Sequence, residues 1–420
     1  MARADATVSR NGASEMKVLI FEPHFNGHRS IYVRHIIDAC RGLAIELTLA
    51  TTVGVLDQEE YQKSLAPLAD EFKLDASIAP ATGSHTSIAR HGAAQLRKAI
   101  RRSGAQHAYL PYGDGVSQFV CLGALLGQRR LPCEIEVILH HSQHSYPQSR
   151  VRKRLRLQVE RAAWRASPFE RVHHVDFLEY RGWSERGIAA GMCVLLPDPV
   201  ECPPPMEKRV AREKLGLTTD GLWMGVVGLI DERKGCHRAL EALRLADLPS
   251  DARLLLAGSH SPQIRELLAT RYKPLVDAGR VVSRDGFLPL AELHAALAAL
   301  DLSLVTHQNH IGISSIALRS AAAGRPVLGA NTGWIEAIVP RFDLGWTCDV
   351  TDPANLAQAI EAALPKAATW RLGPAGAKLL AFHDVANFRA CIARRLRKRL
   401  DLPDDSQRID WSAVESAVDA

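Results

Sequence analysis

The stretch PDPVECPPPM, residues 197–206, places five prolines in ten residues. Neither a helix interior nor a central strand accommodates that density, because each proline fixes φ and removes a backbone donor. The chain therefore reads as two halves joined by a short stiff linker, 199–206. Each half repeats one pattern, an apolar run, a small-residue turn and then residues at helical spacing. The N-terminal runs are MKVLIFEP, AIELTLATT, HAYLPY, EIEVILHH, ERVHHV and MCVLLP; the C-terminal ones are LWMGVVGL, ARLLLAG, GRVVSR, LSLVTH and RPVLGA. Strands alternating with helices predict parallel sheets with crossover helices. The expected fold class is α/β, two Rossmann-like parallel-sheet domains (16–198 and 207–383) facing a cleft. A basic helix over 384–400 and an acidic tail over 401–420 complete the chain. A length of 420 residues agrees, since a single core stops growing at roughly 250–300.

Composition excludes several classes. Lys+Arg 52 against Asp+Glu 46 leaves a net charge of +6, without the concentrated basic blocks of a nucleic-acid binder. The eight cysteines form no CxxC pair, which argues against a zinc site or a disulfide framework and fits a reducing cytoplasm. Residues 1–15 lack an apolar signal core, and no apolar stretch is long enough to span a bilayer, so any membrane contact is expected to be peripheral.

Ligands of open α/β sheets sit beyond the carboxyl ends of the strands, so the chemistry belongs to the strand-end loops. In VVGLIDERKGCHRALEAL (226–243) a strand, a turn with Gly228, the cations Arg233 and Lys234, and a helix follow one another. Such a turn can neutralise a phosphate; a solvated Arg-Lys pair on a surface turn accounts for the same residues. In THQNHIGISSIALRS (306–320) an acid-free polar corner enters a helix that Ser314 or Ser315 can cap, leaving backbone donors for an anion.

Together, GLIDERKG and HIGISSIALRSAAAGRPVLGANTGWIEAIV resemble the donor half of the retaining GT-B glycosyltransferases of the large "group 1" family. The resemblance covers roughly 205–365; the N-terminal half shares only the strand order. It implies a GT-B fold, a nucleotide diphosphate sugar as substrate with no cofactor or metal, and a glycan or lipid-linked acceptor. It also implies that an arginine and a lysine hold the diphosphate while two acids grip sugar and ribose. Lys234 and Gly312 match, but the turn arginine falls on Leu229 and the two acids fall on Ile311 and Arg319. His307, Gln308, Asn309 and His310 are expected to supply substitute bonds to the sugar, and Arg319 suits an anionic or differently posed donor.

On the N-terminal side, FEPHFNGHRSIYV carries Gly27 and His28 at a helix entrance, where a histidine is biased toward the neutral form required of a base. It is no dinucleotide fingerprint, because GxGxxG is absent. VILHHSQHSY ends a strand in His140 and His141, and the resemblance places a histidine of this kind near the transferred sugar. The same histidines suggest a metal, against which the lack of an acid at ligand spacing counts. Asp114 in PYGDGV is placed to orient an acceptor hydroxyl, although Gly-Asp-Gly also serves plain turns. SRVRKRLRLQVERAAWR (149–165) has Val151, Leu155, Val159 and Ala162 on one helical face among basic residues. Such a helix either lies on an anionic membrane surface or docks that stripe into the core.

The reading is a metal-independent hexosyltransferase, with His141, His140 and His28 as catalytic candidates. Two rivals remain. A non-catalytic GT-B module would bind a sugar nucleotide or a partner without turnover. A sugar-nucleotide epimerase would need carboxylates in the cleft, for which Asp114, Asp231 and Glu232 are the candidates.

Overall fold

The computed structural model describes residues 15–25, 29–128, 131–146 and 151–404, and the side chains of 152 and 153 lie outside that description. The first sheet contains β1 (Met16–Phe21), β2 (Ile45–Thr52), β3 (Lys73–Ile78), β4 (His107–Leu110), β5 (Glu134–Leu139), β6 (Arg171–His174) and β7 (Cys193–Leu195). The second contains β8 (Leu222–Val227), β9 (Ala252–Gly258), β10 (Val281–Asp285), β11 (Leu302–Val305), β12 (Val327–Ala330) and β13 (Gly345–Cys348). Their orders are β3-β2-β1-β4-β5-β6-β7 and β10-β9-β8-β11-β12-β13, and every pairing is parallel. This is the expected α/β pair of Rossmann-like domains, the GT-B arrangement. Such strands are covered on both faces, so they read as unbroken apolar runs rather than alternating ones.

The first half carries helices α1 (Arg29–Cys40), α2 (Glu59–Ser64), α3 (His85–Ser103), α4 (Val116–Leu125), α5 (Val151–Arg165) and α6 (Phe177–Glu185). The second carries α7 (Lys208–Lys214), α8 (Cys236–Leu245), α9 (Pro262–Ala269), α10 (Lys273–Asp277), α11 (Leu290–Ala298), α12 (Ser315–Ala322), α13 (Gly333–Ile338), α14 (Pro353–Ala367), α15 (Pro374–Phe382) and α16 (Val385–Arg399). In both sheets the strand order reverses beside the first strand, at β1/β4 and at β8/β11. Chains leaving those two strands diverge and open a crevice, which is where the site should lie.

The linker is pinned rather than loose. The amide of Asp198 donates to His383 Nδ1 at 2.9 Å, and Val200 pairs with Asp384. From there α16 crosses back to the first domain and lies on α1. Phe388, Ile392 and Leu396 are fully buried in the cluster that includes Tyr32, Val33 and Ile36. By packing, the 384–400 segment is part of the N-terminal domain.

The stripe of α5 faces the other way from a core-docking one. Val151, Leu155 and Val159 are 68%, 64% and 56% exposed, whereas Leu157, Glu160, Ala163 and Trp164 are buried. The helix has two apolar faces, and the one bearing tryptophan wins the core because it removes more apolar area from water.

Candidate functional site

The donor side forms where the loops after β8 and β11 meet. Asp231 Oδ1 accepts from the Lys234 amide at 2.8 Å and closes the first turn. That turn is seated on the second loop: the Gln308 amide donates to the Arg233 carbonyl at 2.7 Å and the Thr306 hydroxyl to the Lys234 carbonyl at 2.8 Å. The corner then reverses through Asn309 at φ 54, a left-handed position that asparagine tolerates. Two motifs far apart in sequence thus become one surface.

Lys234 Nζ is buried and donates to the Val227 carbonyl at 3.4 Å. It rests against Gly228, whose φ of +106 and whose missing Cβ, which would stand 3.1 Å from Nζ and 3.7 Å from Ile316 Cδ1, bring lysine and the start of α12 together. Burial, and then the neighbouring Arg233 charge, lower the Lys234 ammonium to about 8. A buried cation with so little compensation is poised for an anion. Ser314 caps α12, accepting from the Ala317 amide. His310 Nε2 donates to the Ile313 carbonyl at 3.1 Å, and its ring lies 4.8 Å from that of His307. Burial and the charges of His141, Arg233 and Lys234 hold His310 neutral, down to about 4.

Ser315 and Arg319 have another location. Ser315 Oγ donates to Asp198 Oδ2 at 2.5 Å, and Arg319, 7% exposed, donates to the Glu201 carbonyl at 3.0 Å. Four residues apart on α12, both side chains are turned to the linker rather than to the cleft. Ile311, standing where the resembling family has its first acid, accepts from the Trp334 amide at its carbonyl and packs under Gly333.

Across the cleft the loops after β1, β4 and β5 converge. Asp114 accepts from the amides of both His140 and His141 at 2.9 Å, so its two oxygens hold the histidine loop. His140 is buried, donates from Nε2 to the Pro111 carbonyl at 2.8 Å and stacks on Tyr112 at 4.6 Å. His141 is exposed, and its ring lies 5.8 Å from His310 of the opposite domain. Gly312 makes this approach possible: a Cβ there would stand 2.5 Å from the His140 carbonyl oxygen. The structure brings His140, His141, His310, Gly312 and Lys234 to one cleft. Gly27 and His28 lie outside the described residues.

Sequence reasoning missed Glu22 and Arg29. Glu22 directly follows β1, is 1% exposed, and takes Arg29 Nη1 at 2.7 Å, while the Arg29 guanidinium lies 3.9 Å over the Tyr112 ring. Burial, opposed by Arg29, raises Glu22 to about 7. The signal available was an acid immediately after an apolar run at the sheet's switch strand. Of the epimerase carboxylates, Asp114 and Asp231 are engaged with backbone amides and Glu232 is exposed at the turn surface. Among the described residues no group of three or more His, Cys, Asp or Glu is placed to hold a metal ion. No described helix is long and apolar enough to cross a membrane.

Residues 222–366 match the family model described as Glycosyl transferases group 1. Over 162 residues the chain is 33% identical to a glycogen synthase of Mycobacterium tuberculosis; the match covers 38% of this chain and 38% of that enzyme, well under half the length of either. Among solved structures, Anabaena HepE in complex with UDP and glucose superposes with a TM-score of 0.63 at 16% identity, covering 92% of this chain and 99% of that one. Sucrose-phosphate synthase from Thermosynechococcus elongatus superposes with a TM-score of 0.66 at 18% identity, over 92% and 98% of the two chains. At these identities the structural likeness is one of fold, and the family match lies on the domain that holds Lys234 and α12.

Proposed function

We propose that this chain, whose second domain matches the group 1 glycosyl transferases, moves a sugar from a nucleotide diphosphate donor to a hydroxyl of a glycan or lipid-linked acceptor. The observation that carries the reading is the convergence of Lys234 and the first turn of α12 on Gly228, with the Arg233 charge close enough to act on Lys234. A buried ammonium, an exposed guanidinium and a helix N-terminus stabilise a leaving diphosphate, so no metal is required there. In the transfer the acceptor oxygen bonds to the anomeric carbon as that carbon's bond to the phosphate oxygen breaks. The diphosphate leaves with the electron pair and takes the acceptor's proton. His141 and His310 hold the sugar between the domains, and retention of configuration follows from the resemblance.

The lipid-linked form of the acceptor is supported by the outward face of α3, α4 and α5, which pack side by side on one face of the first sheet. Leu126 is 83% exposed at the end of α4, and Leu155 and Val159 are exposed on α5. α3 carries no acid, and the one acid of α5, Glu160, is buried and bound by Arg156. Apolar side chains on helices whose cations outnumber their acids suit an anionic membrane surface.

The function is tested by screening sugar nucleotides for thermal stabilisation and for hydrolysis, beginning with a uridine diphosphate hexose because HepE was solved with UDP and glucose. A donor at 100 times its Kd should stabilise the fold by about 2.7 kcal/mol. Stabilisation with neither hydrolysis nor transfer would favour the non-catalytic module, and no stabilisation by any nucleotide diphosphate would end the reading.

A further inference from the structure

The loop after β5 is held at both of its feet by carboxylates. His140 and His141 donate their amides to the two oxygens of Asp114, both at 2.9 Å. Three residues on, the arrangement repeats: the amides of His144 and Ser145 donate to the two oxygens of Glu179, at 3.2 and 2.7 Å. Four of the six amides from 140 to 145 are thus bound by side-chain acids, one from the loop after β4 and one from α6. The segment leaves the sheet at Leu139, so its backbone donors are met by these acids rather than by a ladder.

Glu179 does more than meet two amides. It is 1% exposed, and its Oε2 also accepts from the Ser142 hydroxyl at 2.5 Å and from the Trp183 indole at 2.9 Å. Trp183 Nε1 reaches Ser142 Oγ at 3.1 Å as well, so the residue beside His141 is tied to two side chains of α6. Asp176, Glu179 and Trp183 recur at helical spacing and turn one face of that helix to the loop. Asp176 caps α6 and accepts from the Tyr146 hydroxyl at 2.5 Å. Gly182 lets the loop lie directly on the helix, since a Cβ there would stand 2.0 Å from Ser145 Oγ. Phe177, Leu178 and Tyr180 join α6 to the buried cluster that holds Val200 of the linker and Phe382. The helix is therefore a fixed template, anchored beside the domain junction.

His141 needs such a template. Its side chain is exposed, with Tyr112 and His310 as ring neighbours at 5.8 Å each, so its place comes from the backbone that carries it. We propose that Glu179 is a positioning residue of the transfer. Through the Ser142 hydroxyl and the amides of His144 and Ser145 it sets the loop conformation that presents His141 to the donor sugar. The proposal rests on the glycosyltransferase reading. Glutamine is the informative replacement, because it keeps the shape of the side chain but turns one acceptor into a donor that faces donors. The loop must then shift while α6 keeps its packing.

The test compares the full chain with Glu179→Gln, His141→Ala and the double variant, using ring-labelled histidine; the NMR resonance lost in His141→Ala identifies His141. In Glu179→Gln turnover should fall by about tenfold or more, the direction expected when a group at the reacting centre is misplaced. Uridine diphosphate affinity should stay unchanged, and the His141 resonance should move in the unliganded protein. In the His141→Ala background the same substitution should change turnover by less than about twofold, because two residues that act through one loop are coupled. An unmoved His141 resonance, undiminished turnover or a fully additive loss in the double variant would each overturn the proposal. Should Glu179→Gln not fold, Ser142→Ala carries the test, since it removes one donor from Glu179 and leaves both amides bound: the His141 resonance should again move, and an unchanged one sinks the assignment. If the parent transfers no sugar from any nucleotide diphosphate donor, the transferase reading fails, and the resonance by itself still decides whether Glu179 sets the loop.

Discussion

The α-carbon of Gly312 and the carbonyl oxygen of His140 meet across the inter-domain cleft, so closely that a Cβ at 312 would stand 2.5 Å from that oxygen. The donor corner and the histidine loop are therefore in register only when no side chain intervenes. Gly312→Ala should keep the melting temperature and the diphosphate affinity within a few-fold of the parent, because each domain's own core is untouched. Turnover should fall about 10²-fold, the loss expected when reacting groups are misplaced by about 1 Å. Steady-state transfer assays check this, and undiminished turnover would show that the two domains separate during catalysis.

Lys234 gives a pH dependence with a definite sign. Its folded-state value, about 8, lies below the 10.5 of a free lysine, so the unliganded protein loses this charge as pH rises through 8. A bound diphosphate favours the charged form, and affinity for the diphosphate should therefore decline from pH 8 upward. The fold itself gains stability between 8 and 10.5, as an unfavourable buried charge disappears. Lys234→Ala should weaken diphosphate binding tenfold or more, since a charge-assisted contact contributes about 1.5–3 kcal/mol, and should flatten the profile. Calorimetric titration at several pH values decides, and equal affinities in variant and parent would remove Lys234 from the site.

His141→Ala should lower donor affinity and turnover together, the signature of a group that positions the sugar. His28→Ala should retain measurable activity, because a general base would be worth about 10²–10⁴ in turnover and a retaining transfer does not need one. The product's anomeric configuration completes the measurement: an inverted product with a dead His28 variant would exchange the two roles.

Adsorption to vesicles containing phosphatidylglycerol should occur at low salt and weaken as salt is added, with none on phosphatidylcholine alone. Leu155→Asp combined with Val159→Asp should abolish it without lowering the melting temperature, since both side chains are exposed. A parent protein that ignores anionic vesicles would leave α5 as a solvated helix.

The linear sequence by itself determined what is local. The apolar runs of parallel strands, the proline-rich linker and the turn chemistry of GLIDERKG depend on neighbouring residues alone, and they were legible without coordinates. The two-domain architecture followed, because strand and helix alternating twice around a proline cluster leaves few alternatives. Tertiary structure decided what depends on a partner. Periodicity shows that α5 has a stripe at Val151, Leu155 and Val159, but burial went to the face with Leu157 and Trp164, where the sheet offered more area. Ser315 and Arg319 occupy the helix that a donor would approach, yet Asp198 and the Glu201 carbonyl, more than a hundred residues upstream, turn both side chains to the linker. Asp114 looked like a surface turn residue until two histidine amides closed on it. Glu22 became unusual only when Arg29 and the surrounding core removed its water. In each case the deciding contact joins residues distant in the chain, and its energy exists only once folding has brought them together.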